Sequence, residues 1–220
     1  INSGTVTPNT ADYIYNLTGN YTYNTGTFSS SNNGWFVLNG TSQNITRGRF
    51  RRLRISGTGT TFTDSTIVSY NNGTLGNNAF ELKTGASFTL AASASVTSHG
   101  NVVLESGSTL NDNDQKIYFL GAYWTGSATY NGNGWVYFRG NTQYLQTGAF
   151  ANLALDNLNT VTNSWKYLNG AITVKGDLKV NVYGLDLQTY TITNTTGTGV
   201  FELGRDIAGN SNLYIRGANN

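Results

Sequence analysis

Residues 47 to 55 read Arg-Gly-Arg-Phe-Arg-Arg-Leu-Arg-Ile, so five of the chain's eight arginines (Arg47, Arg49, Arg51, Arg52 and Arg54) fall within eight positions. Guanidinium groups make multidentate contacts with phosphate and carboxylate, and clustering concentrates their field. The run is therefore a candidate ligand-binding site for an anionic partner such as lipopolysaccharide phosphate, acidic polysaccharide or extracellular DNA. The competing reading is a solvated strand whose surface residues have drifted. A second candidate is aromatic: Tyr13, Tyr15, Tyr21 and Tyr23 alternate, and Tyr118, Tyr123, Trp124 and Tyr130 follow. An exposed row of such rings is a platform for sugars or bases, whereas in stacked strands the same rings serve as lateral packing.

Catalytic chemistry finds little material. The single histidine, His99, follows Ser98, but no Gly-x-Ser-x-Gly elbow is present. The eight Asp and three Glu are scattered, whereas a polysaccharide lyase or hydrolase needs carboxylates converging on one groove. The one close pair, Asp112 and Asp114, lacks the spacing of a calcium loop and reads as a polar turn. No cofactor and no metal site are expected.

Composition narrows the classes further. Only 11% of the 220 residues are charged, and without the five clustered arginines the formal charge would fall from +2 to −3. The basic character is local, so nucleic acid is not an expected partner. Cysteine is absent, which excludes disulfides and thiolate metal sites. No apolar run approaches the roughly 20 residues of a membrane-spanning helix. The chain opens Ile1-Asn2-Ser3 without a signal-peptide pattern, which predicts a processed chain or a segment of something longer.

The elements that must position these residues are short strands. No sustained helical period appears, and Gly or Asn interrupts most stretches. Ile172-Thr173-Val174 and Leu178-Lys179-Val180 alternate apolar and polar residues around the turn Gly176-Asp177. Strands this short need many neighbours, and the neighbours are repeats. Gly34-Trp35-Phe36-Val37-Leu38-Asn39-Gly40 aligns without a gap to Gly134-Trp135-Val136-Tyr137-Phe138-Arg139-Gly140. The match continues through Gln43 and Gln143, Gly48 and Gly148, Phe50 and Phe150, Leu53 and Leu153, and Ile55 and Leu155. The duplication spans about 20–55 and 120–155, and inside its 100-residue period a shorter one sets Phe80-Glu81-Leu82-Lys83 against Val102-Val103-Leu104-Glu105 at an offset of 22.

A period of 20–22 residues predicts a single all-β domain over 1–220: a right-handed parallel β-helix, or β-solenoid, with rungs of about that length. Propeller blades require a longer unit, and a β-sandwich is the remaining alternative. The solenoid makes definite demands. Trp35 and Trp135 should be equivalent, about five rungs or on the order of 24 Å apart. Leu82 and Leu104 should share an inward stack, with Lys83 and Glu105 paired outside. In the second motif copy the five arginines are replaced by Thr147, Ala149, Ala151, Asn152 and Ala154, so the fold should place no demand on them and their guanidinium groups should lie in solvent.

The motif formed by Gly34, Trp35, Asn39-Gly40, Gln43, Ile45, Gly48, Phe50, Leu53 and Ile55, together with Gly170 through Ile192, resembles a recurring unit of very large Bacteroidota surface proteins. These include adhesins and gliding-associated proteins exported by the type 9 secretion system. The resemblance covers about two-thirds of the chain and is loosest from Thr58 to Gly100. It implies an extracellular, cell-surface β-helical stalk rather than a particular ligand. It also makes Asp64-Ser65-Thr66 a candidate O-glycosylation sequence with Ser65 as acceptor. The expected function is that of a structural or adhesive segment (stalk, adhesin or filament) without catalytic activity. The alternative is a carbohydrate-binding or carbohydrate-cleaving β-helix, with an ice-binding solenoid a further candidate. Expected partners are extracellular polysaccharide or other surface glycans, and copies of the chain itself end to end.

Overall fold

The structure is a computed structural model that describes residues 5–6, 14–23, 27–28, 34–68, 78–157, 164–204 and 214–217. The described chain contains 28 strands and no helix, and every strand pairing is parallel. It winds as a β-solenoid of about 8 turns. Each turn lays one strand on each of three faces. The first face runs from Ile14–Leu17 through Trp35–Leu38, Leu53–Ile55, Asn78–Leu82, Asn101–Leu104 and Tyr123–Gly126 to Tyr214–Arg216. The second begins with Tyr21–Thr22 and Asn44–Thr46, and the third with Arg49–Phe50 and Thr66–Val68. Strand Gln143–Phe150 spans 8 residues and bends from the first face into the second. Its start pairs with Trp165–Leu168 and its end with Ile172–Val174.

Alternation of side chains within each strand fills the interior. On the first face Phe36, Leu53, Phe80, Val102, Trp124 and Leu145 are successive register partners, and so are Leu38, Ile55, Leu82 and Leu104 in the adjacent column. All of them are buried. The offset of 22 holds as expected: Leu82 pairs with Leu104 in parallel strands, and Lys83 meets Glu105 outside in an ion pair. Phe50, Leu53, Ile55, Phe150, Leu153 and Leu155 are buried, again as expected.

Two glycine positions show why the motif carries glycine. A Cβ on Gly57 would stand 2.0 Å from the carbonyl oxygen of Gly40 on the previous coil, so this corner closes only without a side chain at that position. A Cβ on Gly48 or Gly148 would lie 2.5 or 2.4 Å from the ring of Phe50 or Phe150. Each ring folds back over the glycine two residues before it.

The two motif copies are locally alike but are not equivalent in the solenoid. In each, the first strand pairs with the last at an offset of 17: Phe36 with Leu53 and Leu38 with Ile55, then Val136 with Leu153 and Phe138 with Leu155. Gln43 donates to the carbonyls of Leu17 and Gly19 and accepts from Gly40 N, and Gln143 does the same with Phe119, Gly121 and Gly140. Trp35, however, stands on the first face and Trp135 on the third. The expected equivalence of the two tryptophans is therefore wrong. Coils range from 17 residues (Phe36 to Leu53) through 27 (Leu53 to Phe80) to 30 (Gly184 to Tyr214), so 100 residues do not make a whole number of turns.

Candidate binding faces

The arginine run crosses two corners and two faces, and this separates its members. Arg47 occupies the left-handed region at φ 53 in the corner before the third face. It is exposed, and its Nε lies 3.1 Å from Asp64 Oδ2. The Ser65 backbone N–H and then Arg47 hold the Asp64 carboxyl below its ordinary range. Arg49 is exposed on the third face, and Arg51 is half-buried in the corner leading to the first.

Arg52 and Arg54 correct the expectation that all five guanidinium groups lie free in solvent. Their Cζ atoms sit 4.1 and 4.5 Å from the Trp35 ring centroid, and Arg52 Nε donates to Asn78 O at 2.8 Å. Arg54 Nε donates to Glu81 Oε2 at 2.8 Å, while Asn78 Nδ2 donates to Glu81 Oε1 at 3.0 Å. Arg54 and Glu81 are register partners, and their side chains are 29% and 9% exposed. This is a structural cluster built over a tryptophan, with cation–π contact and charge pairing combined. In the other copy Asn152 and Ala154 replace the two arginines, and Trp135 is left half-buried, with Lys179 Nζ 5.4 Å from its ring. The five arginines are thus spread over two corners and two faces, with Arg52 and Arg54 engaged at Trp35.

Ser65 is exposed; its N–H donates to Asp64 Oδ1 at 2.7 Å, and its hydroxyl accepts from Ser95 Oγ at 3.1 Å. Ser98 is buried with its hydroxyl donating to Gly100 O at 2.9 Å, and His99 is exposed, so the neighbouring pair is not a Ser–His couple. Asp112 Oδ1 accepts from Gly134 N at 2.8 Å and Asp114 N at 2.9 Å, and Asp114 Oδ1 accepts from Asn133 N at 2.9 Å. Burial pushes the Asp112 carboxyl up. Both carboxylates tie one polar corner to the next coil. Among the described residues, no three His, Cys, Asp or Glu side chains are grouped so as to hold a metal ion.

The aromatics sort differently from the alternation along the chain. Tyr13 lies outside the described residues. Tyr21, Trp124 and Tyr130 are buried in the core, and Tyr15 stacks on Phe36 at 5.0 Å. The outward rings form two groups. On the third face Tyr118 and Tyr137 lie 5.3 Å apart, with Arg139 Cζ 4.6 and 4.7 Å from their centroids. On the first face Tyr123, Tyr144 and Tyr167 form a ladder, with centroid spacings of 5.0 and 5.1 Å and interplanar angles of 15° and 18°. Sequence reasoning singled out Tyr123 but missed Tyr144 and Tyr167. Their offsets of 21 and 23 are close to the coil length and were the available signal.

Comparison with protein-family models, with curated proteins and with solved structures finds no match to this chain.

Proposed function

We propose that this chain is a segment of an extracellular structural and adhesive surface protein, a stalk, adhesin or filament that works without catalysis. The observation that carries the reading is the continuity of the parallel pairing. On each face, backbone hydrogen bonds link coil to coil along the axis, with apolar columns stacked in register beneath them. Such a rod presents exposed strand edges only at its two ends. The resemblance of the Trp35 and Trp135 motifs and of Gly170–Ile192 to Bacteroidota surface repeats supports the same reading. With it come cell-surface export, Ser65 as a glycan acceptor, and end-to-end contact between copies.

Adhesion would fall to the outer faces, where half-buried aromatic rings lie among uncharged Asn, Thr and Gln. That arrangement suits extracellular polysaccharide and other surface glycans better than a phosphate polymer, because the cations beside the rings are already engaged, Arg54, Arg139 and Lys179 with carboxylates and Arg52 with the Asn78 carbonyl. Two measurements test the proposal: single-molecule pulling of the chain between its ends, and incubation with polysaccharides under product analysis. Rung-by-rung resistance to extension with unchanged polysaccharide is the expected outcome. Depolymerisation of any of them would overturn it.

A further inference from the structure

The tyrosine ladder on the first face stops abruptly. Following the register through Tyr167, Tyr144 and Tyr123, the next positions are Asn101 and then Asn78. One column thus holds three stacked rings followed by two short amides. The side of the Tyr123 ring turned away from Tyr144 faces the asparagines. There the surface opens into a groove of about 350 Å³ lined by Asn78, Asn101, Val103, Tyr123, Thr125 and Gln146.

We infer that this groove is a binding site for a neutral hexopyranose unit of a glycan, which stacks on the free face of Tyr123 and continues the ladder by one ring. The inference rests on the adhesive reading above and names its ligand. Successive rungs lie about 4.8 Å apart, so a flat ring seated over Asn101 would take up the spacing already set by the tyrosines. The apolar C–H face of a pyranose meets the ring, and Val103 forms the apolar wall beside it. Hydroxyls around the sugar's rim find amide and hydroxyl partners on Asn78, Gln146 and Thr125.

Charge chooses among ring-shaped ligands. No lining side chain is ionised. Of the ions beside it, Arg52 donates from Nε to Asn78 O at 2.8 Å, Arg54 and Glu81 face each other at 2.8 Å, and the second Glu81 oxygen accepts from Asn78 Nδ2. The groove therefore offers no unpaired cation for a uronate or for the phosphates of a nucleic acid, whose binding depends on such cations. Its walls are tied together by hydrogen bonds. Asn101 Oδ1 accepts from Tyr123 N at 3.0 Å, and Thr125 and Gln146 are hydrogen-bonded to each other.

The test is saturation-transfer NMR on the whole chain with neutral hexose oligosaccharides, an oligogalacturonate and a single-stranded oligonucleotide. Val103→Tyr fills the groove without removing a hydrogen bond, Tyr123→Ala removes the platform, and Lys116→Ala on the third face is the control. Thermal melting confirms that each variant is folded. The expected result is transfer to a neutral hexose that weakens by at least about tenfold in Val103→Tyr and Tyr123→Ala and is unchanged in Lys116→Ala. Three results would overturn the site: no transfer to any neutral hexose, transfer that survives Val103→Tyr, or preference for the uronate or the oligonucleotide. Each leaves the mechanical reading to its own pulling experiment, and binding that survives Val103→Tyr would place adhesion on another face.

Discussion

Lys166 Nζ donates to Gln143 Oε1 at 2.6 Å, and the two residues are register partners at one buried corner. The lysine is fully buried, and its ammonium also donates to Gly140 O. Burial lowers its pKa from 10.5 to about 7, against a partial opposing pull from Asp156. The folded amine thus releases its proton near pH 7 while the unfolded one keeps it up to about 10.5. Across that window the unfolded state binds more protons, so stability rises with pH.

Urea unfolding at pH 6.5 and pH 9 should therefore show the wild type gaining stability at the higher pH relative to Lys166→Gln. Glutamine at this position extends the column begun by Gln143 and carries no titrating amine. Equal pH dependence in the two proteins would refute the buried-amine account.

The arginines should divide by role. Arg49→Ala and Arg47→Asn are expected to change stability by no more than about 0.5 kcal/mol each. Asparagine is chosen at position 47 because it tolerates the left-handed backbone there, which threonine would not. Arg54→Ala should cost about 1–3 kcal/mol or more, because it strands the buried Glu81 carboxylate. It should also open Trp35 to solvent. Adding Glu81→Ala should recover part of the loss in a double-mutant cycle read by chemical denaturation.

Gly57→Ala should be among the most damaging single-methyl changes in the chain. The added carbon meets backbone on the neighbouring coil, the Gly40 carbonyl, and no flexible side chain can yield to it. A loss of about 1–3 kcal/mol is expected from overpacking alone. Gly85→Ala is the informative comparison. Its Cβ would meet nothing within 4 Å, and only its φ of +76° is unfavourable. A smaller drop in Tm for Gly85→Ala separates contact from backbone strain.

The outer pair Lys83–Glu105 should act on the acid side. The hydrogen bond from Lys83, and then that from Thr84 N, holds the Glu105 carboxyl below its ordinary range. Its contribution is present above the ordinary carboxylate pKa and disappears as pH falls through the lowered folded value. Both side chains are about a third exposed, so the pair is worth less than about 1 kcal/mol. Comparing Glu105→Gln with wild type in acid titration of stability should show a small wild-type advantage at neutral pH that vanishes at low pH.

The sequence by itself determined the local path of the chain. Alternation put Leu82 and Leu104 inward, their spacing of 22 set them on adjacent coils, and Gly48-x-Phe50 with Gly148-x-Phe150 marked the same folded-back ring. These features depend on neighbours within one coil, and both motif copies close that coil in 17 residues. What only the tertiary structure decided is the face on which each copy lies. Rotation about the axis accumulates over every intervening coil, and coils from 17 residues (Phe36 to Leu53) to 30 (Thr66 to Val96) carry Trp35 and Trp135 to different sheets.

Inside and outside were undecided by the same logic in Trp165–Leu168, where two aromatics alternate with Lys166 and Leu168. Polarity alone would turn the rings inward. The register with Gln143 and Leu145 turns Lys166 and Leu168 inward instead, and leaves Tyr167 to stack on Tyr144. The ladder and the groove at its end share that origin. They are columns across coils, and side chains some 22 residues apart become neighbours only when parallel strands stack them about 4.8 Å apart.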